Sequence, residues 1–252
     1  MESLFIIFAA IVVYAIYVAS SRAGRTTPDT TGSSRRYSAR PPASRTAQEH
    51  TSVDLHDLLP REFVILDLET TGLSRVHDEI IEIGAIRVDL DGVDREDRAE
   101  CPVFQTLVKP LNGIPEGATK INGITQEMLD QEGIELKEAM QQFMEFVGDL
   151  PLVTYNAALD MGFLWKAAER CDLTLSNRYD CALKRTRRAF PDLPNHKLTY
   201  IAELLQLPDD DTHRALGDCK RTVTVFVTSV STLGTKVRWT HPPKTLQRRS
   251  SI

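Results

Sequence analysis

The sequence FVILDLETTG, residues 63–72, places two carboxylates at the end of an apolar run. Such a run is typical of a buried β-strand, in which alternate side chains point to the same face. Asp67 and Glu69 therefore leave the strand together, whereas Leu66 and Leu68 point the other way. Neighbouring like charges repel, and carboxylate oxygens suit Mg²⁺ or Mn²⁺. Alone, a D-x-E pair is a weak signal that has a structural explanation in most proteins.

The segments around this strand predict an α/β domain. Further strands are expected at 80–90, 103–110 and 151–155, with a turn at Asp91-Gly92. Helices are expected from an N-cap at Thr125 and over 136–147, 160–170, 182–190, 198–205 and 214–233. Three strands followed by alternating helices and strands favour a central mixed sheet flanked by helices.

Two later segments carry further polar groups that suit catalysis. Asp160 follows the strand at 151–155 and falls in the first turn of the next helix, where a carboxylate also caps the helix favourably. His213 lies at the entry to the last helix and Asp218 lies within it, five residues on, so the two do not share a helical face. Taken alone, His213 is typical of a solvent-exposed histidine.

Together, the three segments resemble a known family. D-x-E-T-T-G at 67–72, N-A-x-x-D-x-x-F at 156–163 and H-R-A-x-x-D at 213–218 follow the order of the DEDDh exonucleases, also called DnaQ-like. Residues 80–84 (IIEIG), 121–125 (INGIT) and 195–198 (NHKL) add weaker matches, and the resemblance covers about residues 61–231. It implies a ribonuclease H-like fold.

The resemblance also implies a two-metal 3′→5′ exonuclease. Asp67 would bridge two Mg²⁺ ions about 4 Å apart, with Mn²⁺ able to substitute. Glu69 and Asp218 would hold the first ion and Asp160 the second, while His213 would act as general base on the attacking water. The products would be nucleoside monophosphates released from single-stranded nucleic acid, with DNA favoured over RNA.

Substrate contacts are also implied by the resemblance. The positions that match the family's contacts with the terminal nucleotides are Thr71, Gly72, Leu73, Asn156 and Phe163. Tyr155 replaces a histidine that is frequent in the family. A basic cluster, residues 184–188, either steers the phosphate backbone or is an ordinary solvated helix face.

The charge of −5 is unevenly distributed along the chain. Residues 58–233 contain 19 basic and 30 acidic side chains, a net of −11, whereas the tail, 234–252, has five basic side chains and no acid. Because phosphate contacts need cations, an acidic body is a poor general binder of nucleic acid, and bound metal must reverse the field locally. The four cysteines include no C-x-x-C pair, which indicates reduced, partly buried thiols.

The N-terminal residues 1–21 predict a single-pass membrane anchor. Residues 4–19 (LFIIFAAIVVYAIYVA) carry no charge, and as a helix they span roughly 24 Å. Basic residues follow the run and Glu2 precedes it, which places the catalytic domain in the cytoplasm. A cleaved signal peptide is the alternative, although no basic n-region precedes the run. Residues 22–57 are expected to be a flexible basic Ser/Thr/Pro linker, followed by the exonuclease domain at 58–233 and the basic tail at 234–252.

Three readings of the whole chain stay open. It is a DNA exonuclease, an RNA-trimming exonuclease of the same family, or a non-catalytic membrane-tethered module that binds nucleic acid or a polymerase. The five catalytic positions argue against the last reading, because a binder has no need of clustered carboxylates. Association with a polymerase is possible in this family but is not indicated, since only a short segment follows the last predicted helix.

Overall fold

Strand β1 (Glu62–Thr70) is the centre of the sheet, because apolar side chains cover both of its faces. The computed structural model describes residues 54–93, 101–207 and 213–243. The remaining strands are β2 (Ile80–Asp89), β3 (Val103–Leu107), β4 (Leu152–Thr154) and β5 (Tyr179–Cys181).

The sheet of the described region has the order β3-β2-β1-β4-β5. β1 pairs antiparallel with β2, which pairs antiparallel with β3. On its other side β1 pairs parallel with β4, which pairs parallel with β5. The predicted α/β class and the mixed sheet are therefore confirmed. Since parallel strands end at one edge, the chain following β1, β4 and β5 gathers there.

The helices of the described region pack on both faces of this sheet. They are α1 (Leu55–Leu58), α2 (Leu90–Val93), α3 (Glu116–Asn122), α4 (Gln126–Glu132), α5 (Leu136–Val147), α6 (Ala157–Arg170), α7 (Ala182–Ala189), α8 (Leu198–Leu204) and α9 (Ala215–Leu233). Leu66 and Leu68 of β1 belong to a core cluster with α5 and α6. Phe63 and Ile65 face the other way, into a cluster with α9, where the Phe63 and Phe226 rings lie 5.9 Å apart.

Several boundaries differ from the sequence-based expectation. The turn at Asp91-Gly92 lies inside the short helix α2, and the helix expected to begin at 160 begins at Ala157. The strand expected to reach 110 ends at Leu107. Strand β5 and helices α1 and α3 were not expected, because elements of three to seven residues show no readable periodicity. The N-cap at Thr125 is confirmed, since its hydroxyl accepts a hydrogen bond from the Met128 amide.

The first part of the tail packs against the domain. Val237 is buried and its amide donates to the Leu58 carbonyl, while Thr240 and Tyr179 form a backbone bridge. Residues 237 and 240 of the expected tail therefore contact the domain.

The expected membrane anchor, and all but the last few residues of the expected linker, lie outside the described residues. Within residues 54–93, 101–207 and 213–243, no helix is long and apolar enough to cross a membrane. The cysteines at 101, 171, 181 and 219 are free thiols, and three of them are buried, as expected.

Candidate active site

The candidate active site begins at the carboxyl end of β1. Asp67 and Glu69 point to one face of the sheet, and Leu66 and Leu68 are buried on the opposite face. The strand therefore presents two partly buried carboxylates side by side, as the alternation of the sequence predicted.

A glycine on β2 brings the third carboxylate to this pair. Gly84 lies opposite Asp67 in the strand register. A Cβ atom at Gly84 would lie only 2.7 Å from the Ala215 carbonyl carbon and the Leu216 amide nitrogen, both backbone atoms of α9. Glycine thus lets the first turn of α9 touch the sheet, and this turn carries Asp218. Oxygen atoms of Asp67, Glu69 and Asp218 all lie within 4.8 Å of one another, which suits a shared cation.

Asp160 approaches the same place from α6. It is 5% exposed, and its carboxylate accepts a hydrogen bond from the hydroxyl of Thr154, the last residue of β4. The negative charge of Asp160 raises the pKa of Asp67. The four predicted metal-binding carboxylates therefore come from three segments: the end of β1 and the first turns of α6 and α9.

Crowding and burial oppose ionisation of these groups. Burial, followed by the charges of Asp160 and Asp218, raises the pKa of Asp67 well above its ordinary value. Burial, then Asp218 and Glu82, raises the pKa of Glu69 to about 8. Burial raises the pKa of Asp160 to about 7, against the lowering effect of the Thr154 hydrogen bond. A bound divalent cation would reverse this cost, because opposite charge favours the ionised form.

Two arginines lie beside the carboxylates and were not predicted. The Arg221 guanidinium, 4% exposed, donates to Asp218 at 2.8 Å from Nη1. Arg214 donates to the fully buried Glu82, with Nη2 2.6 Å from Oε1. Glu82 also accepts from the amide of Ala215, so that it holds the first turn of α9 against β2. The I-I-E-I-G match at 80–84 was the available signal for Glu82, but its role depends on the tertiary contact.

Asn122, the last residue of α3, also has an unpredicted role. It is 4% exposed, and its side chain hydrogen bonds to Glu69, which lowers the pKa of that carboxyl against the effect of burial. Its own amide oxygen accepts from the Ile124 amide. The I-N-G-I-T match at 121–125 was the signal for this segment.

The chain after β1 folds into a turn around Asp78. The carboxylate accepts from the Ser74 amide at 2.7 Å, and Thr70 Oγ1 donates to the Gly72 carbonyl at 2.6 Å. A Cβ atom at Gly72 would lie 2.5 Å from Asp78 Oδ2, so a larger residue there would displace the carboxylate that organises the turn. The turn leaves Leu73 79% exposed. An exposed apolar side chain four residues after Glu69 is of the kind that the predicted contact with a terminal nucleotide needs.

The remaining predicted residues differ in placement. Asn156 is exposed directly before α6, and its contact with substrate stays a prediction. Phe163 is 3% exposed and packs in the core, and its contact with substrate stays a prediction. His213 is exposed on the turn before α9 in a left-handed conformation, with a φ of 61°. Its action as a base stays a prediction.

Comparisons with known proteins identify relatives of this sequence. The sequence pattern of the family RNase T, described as exonuclease, matches residues 64–226. The DNA polymerase III subunit epsilon of Aquifex aeolicus is 36% identical over 173 residues, which cover 68% of this chain and 81% of that protein. The PolC-type DNA polymerase III of Caldanaerobacter subterraneus subsp. tengcongensis is 35% identical over 169 residues, or 67% of this chain and 12% of that protein.

A solved structure supports the fold. Exonuclease I of E. coli in complex with a dT13 oligonucleotide matches with a TM-score of 0.55 and 19% sequence identity. The match covers 64% of this chain and 39% of that one. At this identity the likeness shows the fold alone, which agrees with the ribonuclease H-like architecture that the resemblance implied.

Proposed function

We propose that this chain, which belongs to the RNase T exonuclease family, is a metal-dependent 3′→5′ exonuclease acting on single-stranded nucleic acid, with DNA favoured. Membership of the DnaQ-like exonucleases, predicted from the sequence motifs, is confirmed by the family match. The observation that carries the proposed activity is the meeting of Asp67, Glu69 and Asp218 within 4.8 Å at the carboxyl edge of the sheet.

The donor set fits hard divalent cations such as Mg²⁺ or Mn²⁺. Three carboxylates with crowded oxygens favour oxygen-preferring ions, and the described site has no cysteine or histidine among them. Asp67, Glu69 and Asp218 would hold one ion, and Asp160 with Asp67 a second. The ions would supply charge stabilisation at the attacking and leaving oxygens of the phosphodiester.

The other residues would place the substrate and move the proton. The turn with Thr71, Gly72 and Leu73 would receive the terminal nucleotide on one side, and Asn156 on the other. His213 would take the proton of the attacking water in its neutral form. Its exposed position at the entry of α9 gives the side chain room to reach the site.

DNA is favoured because relatives are named for DNA polymerase III. The chain spans only about an eighth of the PolC-type relative, so neither that protein's substrate nor its assembly transfers directly. RNA trimming therefore stays the second candidate. Pull-down with a replicative polymerase would test whether the chain binds one.

Release of mononucleotides from 3′-labelled single-stranded DNA and RNA, with Mg²⁺, Mn²⁺ or EDTA, tests the proposal. We expect hydrolysis with either ion, none in EDTA, and faster turnover of DNA. His213→Ala and Asp67→Asn should abolish release while leaving the circular dichroism spectrum unchanged. No hydrolysis of either polymer with any metal would refute the activity, and wild-type turnover by His213→Ala would remove that histidine from it.

We propose separately that residues 4–20 anchor the chain in a membrane, with the catalytic domain on the cytoplasmic side. The support is the uncharged apolar run at 4–19 and the basic residues after it. Mass spectrometry of the protein from the membrane fraction should find the intact N-terminus. A mature N-terminus near residue 20 would instead identify a cleaved signal peptide.

A further inference from the structure

A groove lies beside the carboxylate cluster, at the carboxyl ends of β4 and β5. It has a volume of about 530 Å³. The groove residues that matter here are Tyr155, Asn156, Arg187, Asn195, His196 and Lys197. Asn156 links the groove to the active site, because its carbonyl accepts a hydrogen bond from the amide of Asp160. The groove therefore begins one helical turn from a predicted metal ligand.

The charge of the groove is opposite to that of the domain. Arg187 and Lys197 are exposed, and the part of the chain that the structure describes gives neither of them a salt bridge. No carboxylate is among the described residues lining the groove. This is a local cationic surface in a body of net charge −11, with 19 basic and 30 acidic side chains at 58–233.

The rest of the basic cluster at 184–188 does not share this surface. Arg185 is buried and bonded to Asp180, with Nε 2.6 Å from Oδ2. Lys184 and Arg188 are exposed on the same helix but do not line the groove. The sequence left the cluster's role open between substrate steering and a solvated helix face, and the structure separates its members.

The wall of the groove is held by hydrogen bonds. The Tyr155 hydroxyl donates to the His196 carbonyl at 2.5 Å, and His196 Nε2 lies 2.9 Å from the Phe190 carbonyl. Asn195 Oδ1 accepts from the Lys197 amide at 2.9 Å. Because hydrogen bonds tie the backbone at 195–197 to Tyr155 and Phe190, the residues after β4 and α7, the backbone that carries Lys197 needs no ordering when a ligand binds.

A cavity toward α5 and α6 offers a less suitable path for a polyanion. It has a volume of about 40 Å³, and its charged lining residues are three carboxylates and three cations: Asp78, Glu79, Glu135, Lys109, Lys166 and Arg170. Its charges therefore balance, whereas the described lining of the groove has cations without carboxylates and a larger volume of about 530 Å³. Charge and size together favour the Arg187–Lys197 side as the exit for the strand.

We propose that this groove binds the sugar-phosphate backbone of the substrate strand on the 5′ side of the terminal nucleotide. Arg187 and Lys197 contact phosphates, and Asn156 joins this subsite to the scissile end. The inference rests on the proposed exonuclease function, since it assigns the path of that enzyme's substrate. Backbone contacts of this kind are independent of sequence and sensitive to salt.

The test compares two double variants of equal charge. Arg187→Ala/Lys197→Ala removes the groove cations, and Lys184→Ala/Arg188→Ala removes two exposed cations that lie outside it. Kinetics are measured on a dinucleotide and on single-stranded DNA of about 16 nucleotides. We expect the groove variant to lower the ratio of kcat/KM for the long substrate to that for the dinucleotide by about tenfold, mainly through KM. The control variant should keep the wild-type ratio.

Salt dependence gives a second readout. Loss of two phosphate contacts should reduce the slope of log K against log salt by about 1.4 for a single strand. Binding of the same fluorescein-labelled DNA is measured by anisotropy with His213→Ala in each background, in the presence of Mn²⁺. The binding measurement does not depend on hydrolysis, so it tests the groove even if the wild type hydrolyses nothing. Failure of the proposed activity is therefore distinguishable from failure of the groove proposal.

Two results would overturn the proposal. Equal effects of the two double variants would mean general electrostatic attraction rather than a subsite. An unchanged salt slope in the groove variant would mean that no phosphate is bound there. Retention of tight DNA binding by Arg187→Lys/Lys197→Arg would support phosphate contact, because it keeps both charges.

Discussion

Gly84 gives the sharpest test of how the fold builds the carboxylate cluster. Gly84→Ala adds one methyl group between β2 and α9. The new Cβ would lie 2.7 Å from the backbone of Ala215 and Leu216, whereas ordinary van der Waals contact begins at 3.4 Å. No flexible side chain can absorb the overlap alone, because two of the nearest atoms belong to the backbone of α9. The helix must therefore move away from the sheet by about 0.7 Å.

This movement separates Asp218 from Asp67 and Glu69, because Asp218 lies in the displaced turn. A misplacement of about 1 Å in a catalytic site can lower the rate about 100-fold, so we expect kcat to fall by tens-fold. Overpacking of a well-packed interface typically lowers the free energy of unfolding by about 1–3 kcal/mol. For a domain of this size the melting temperature should fall by roughly 4–8 °C for 2 kcal/mol.

The matched control is Gly117→Ala in α3. A Cβ atom at Gly117 has nothing within 4 Å, and the backbone is helical, so alanine should stabilise the protein by about 0.5–1 kcal/mol. Both variants are measured by calorimetry, by Mn²⁺ titration and by steady-state hydrolysis of single-stranded DNA. Wild-type kcat and Mn²⁺ affinity for Gly84→Ala would refute the role of this contact in positioning Asp218.

Three further predictions concern the charges of the site. Glu69→Gln should raise the melting temperature in EDTA, because it removes a carboxylate whose pKa burial raises to about 8. It should also abolish the rise in melting temperature that Mn²⁺ induces, because Glu69 is a predicted metal ligand. Differential scanning fluorimetry measures both. The pKa of Asp160 is about 7 in the folded protein and 3.8 in the unfolded chain. Ionisation of Asp160 therefore lowers the free energy of unfolding progressively above about pH 4. The loss reaches about 4 kcal/mol above pH 7. The metal-free melting temperature of Asp160→Asn should therefore exceed that of the wild type more at pH 8 than at pH 5, and an equal difference at both would contradict the buried carboxylate. Glu82→Gln should lower the free energy of unfolding by about 1–2 kcal/mol in urea titrations, because it replaces charge-assisted hydrogen bonds to Arg214, which is 30% exposed, by neutral ones.

The placement of three of the carboxylates could be predicted from the sequence, because each is fixed by local geometry. The pair on β1 follows from the two-residue period of a strand, and Asp160 from its place in the first turn of a helix. The convergence of these groups with Asp218 does not follow from periodicity. It depends on the contact of α9 with Gly84, which joins residues 131 positions apart in the chain. The resemblance to a family supplied that step.

The roles of the residues that contact these carboxylates could not be predicted from the sequence, for a different reason. Arg221 and Asn122 are polar side chains in ordinary helical surroundings, and only packing reveals that they are buried beside carboxylates. Phe163 shows the limit of a motif from the other side. It matches a family position that touches substrate, and its place in α6 puts the ring in the core, so that contact stays a prediction. A motif identifies a position, whereas exposure is decided by how the whole helix packs.

Metal ions at the carboxylates and the cations of the groove would attract phosphates at different positions of the strand. Four carboxylates at the end of the sheet can receive a phosphodiester only when cations bind them, so metal affinity should set the affinity for the scissile end. The groove with Arg187 and Lys197 holds its own positive charge and should bind the following phosphates without metal. Removal of metal should therefore abolish hydrolysis completely while leaving the salt-dependent part of DNA binding in place. The acidic remainder of the domain would then disfavour binding elsewhere, so that the strand is held only where its 3′ end reaches the carboxylates.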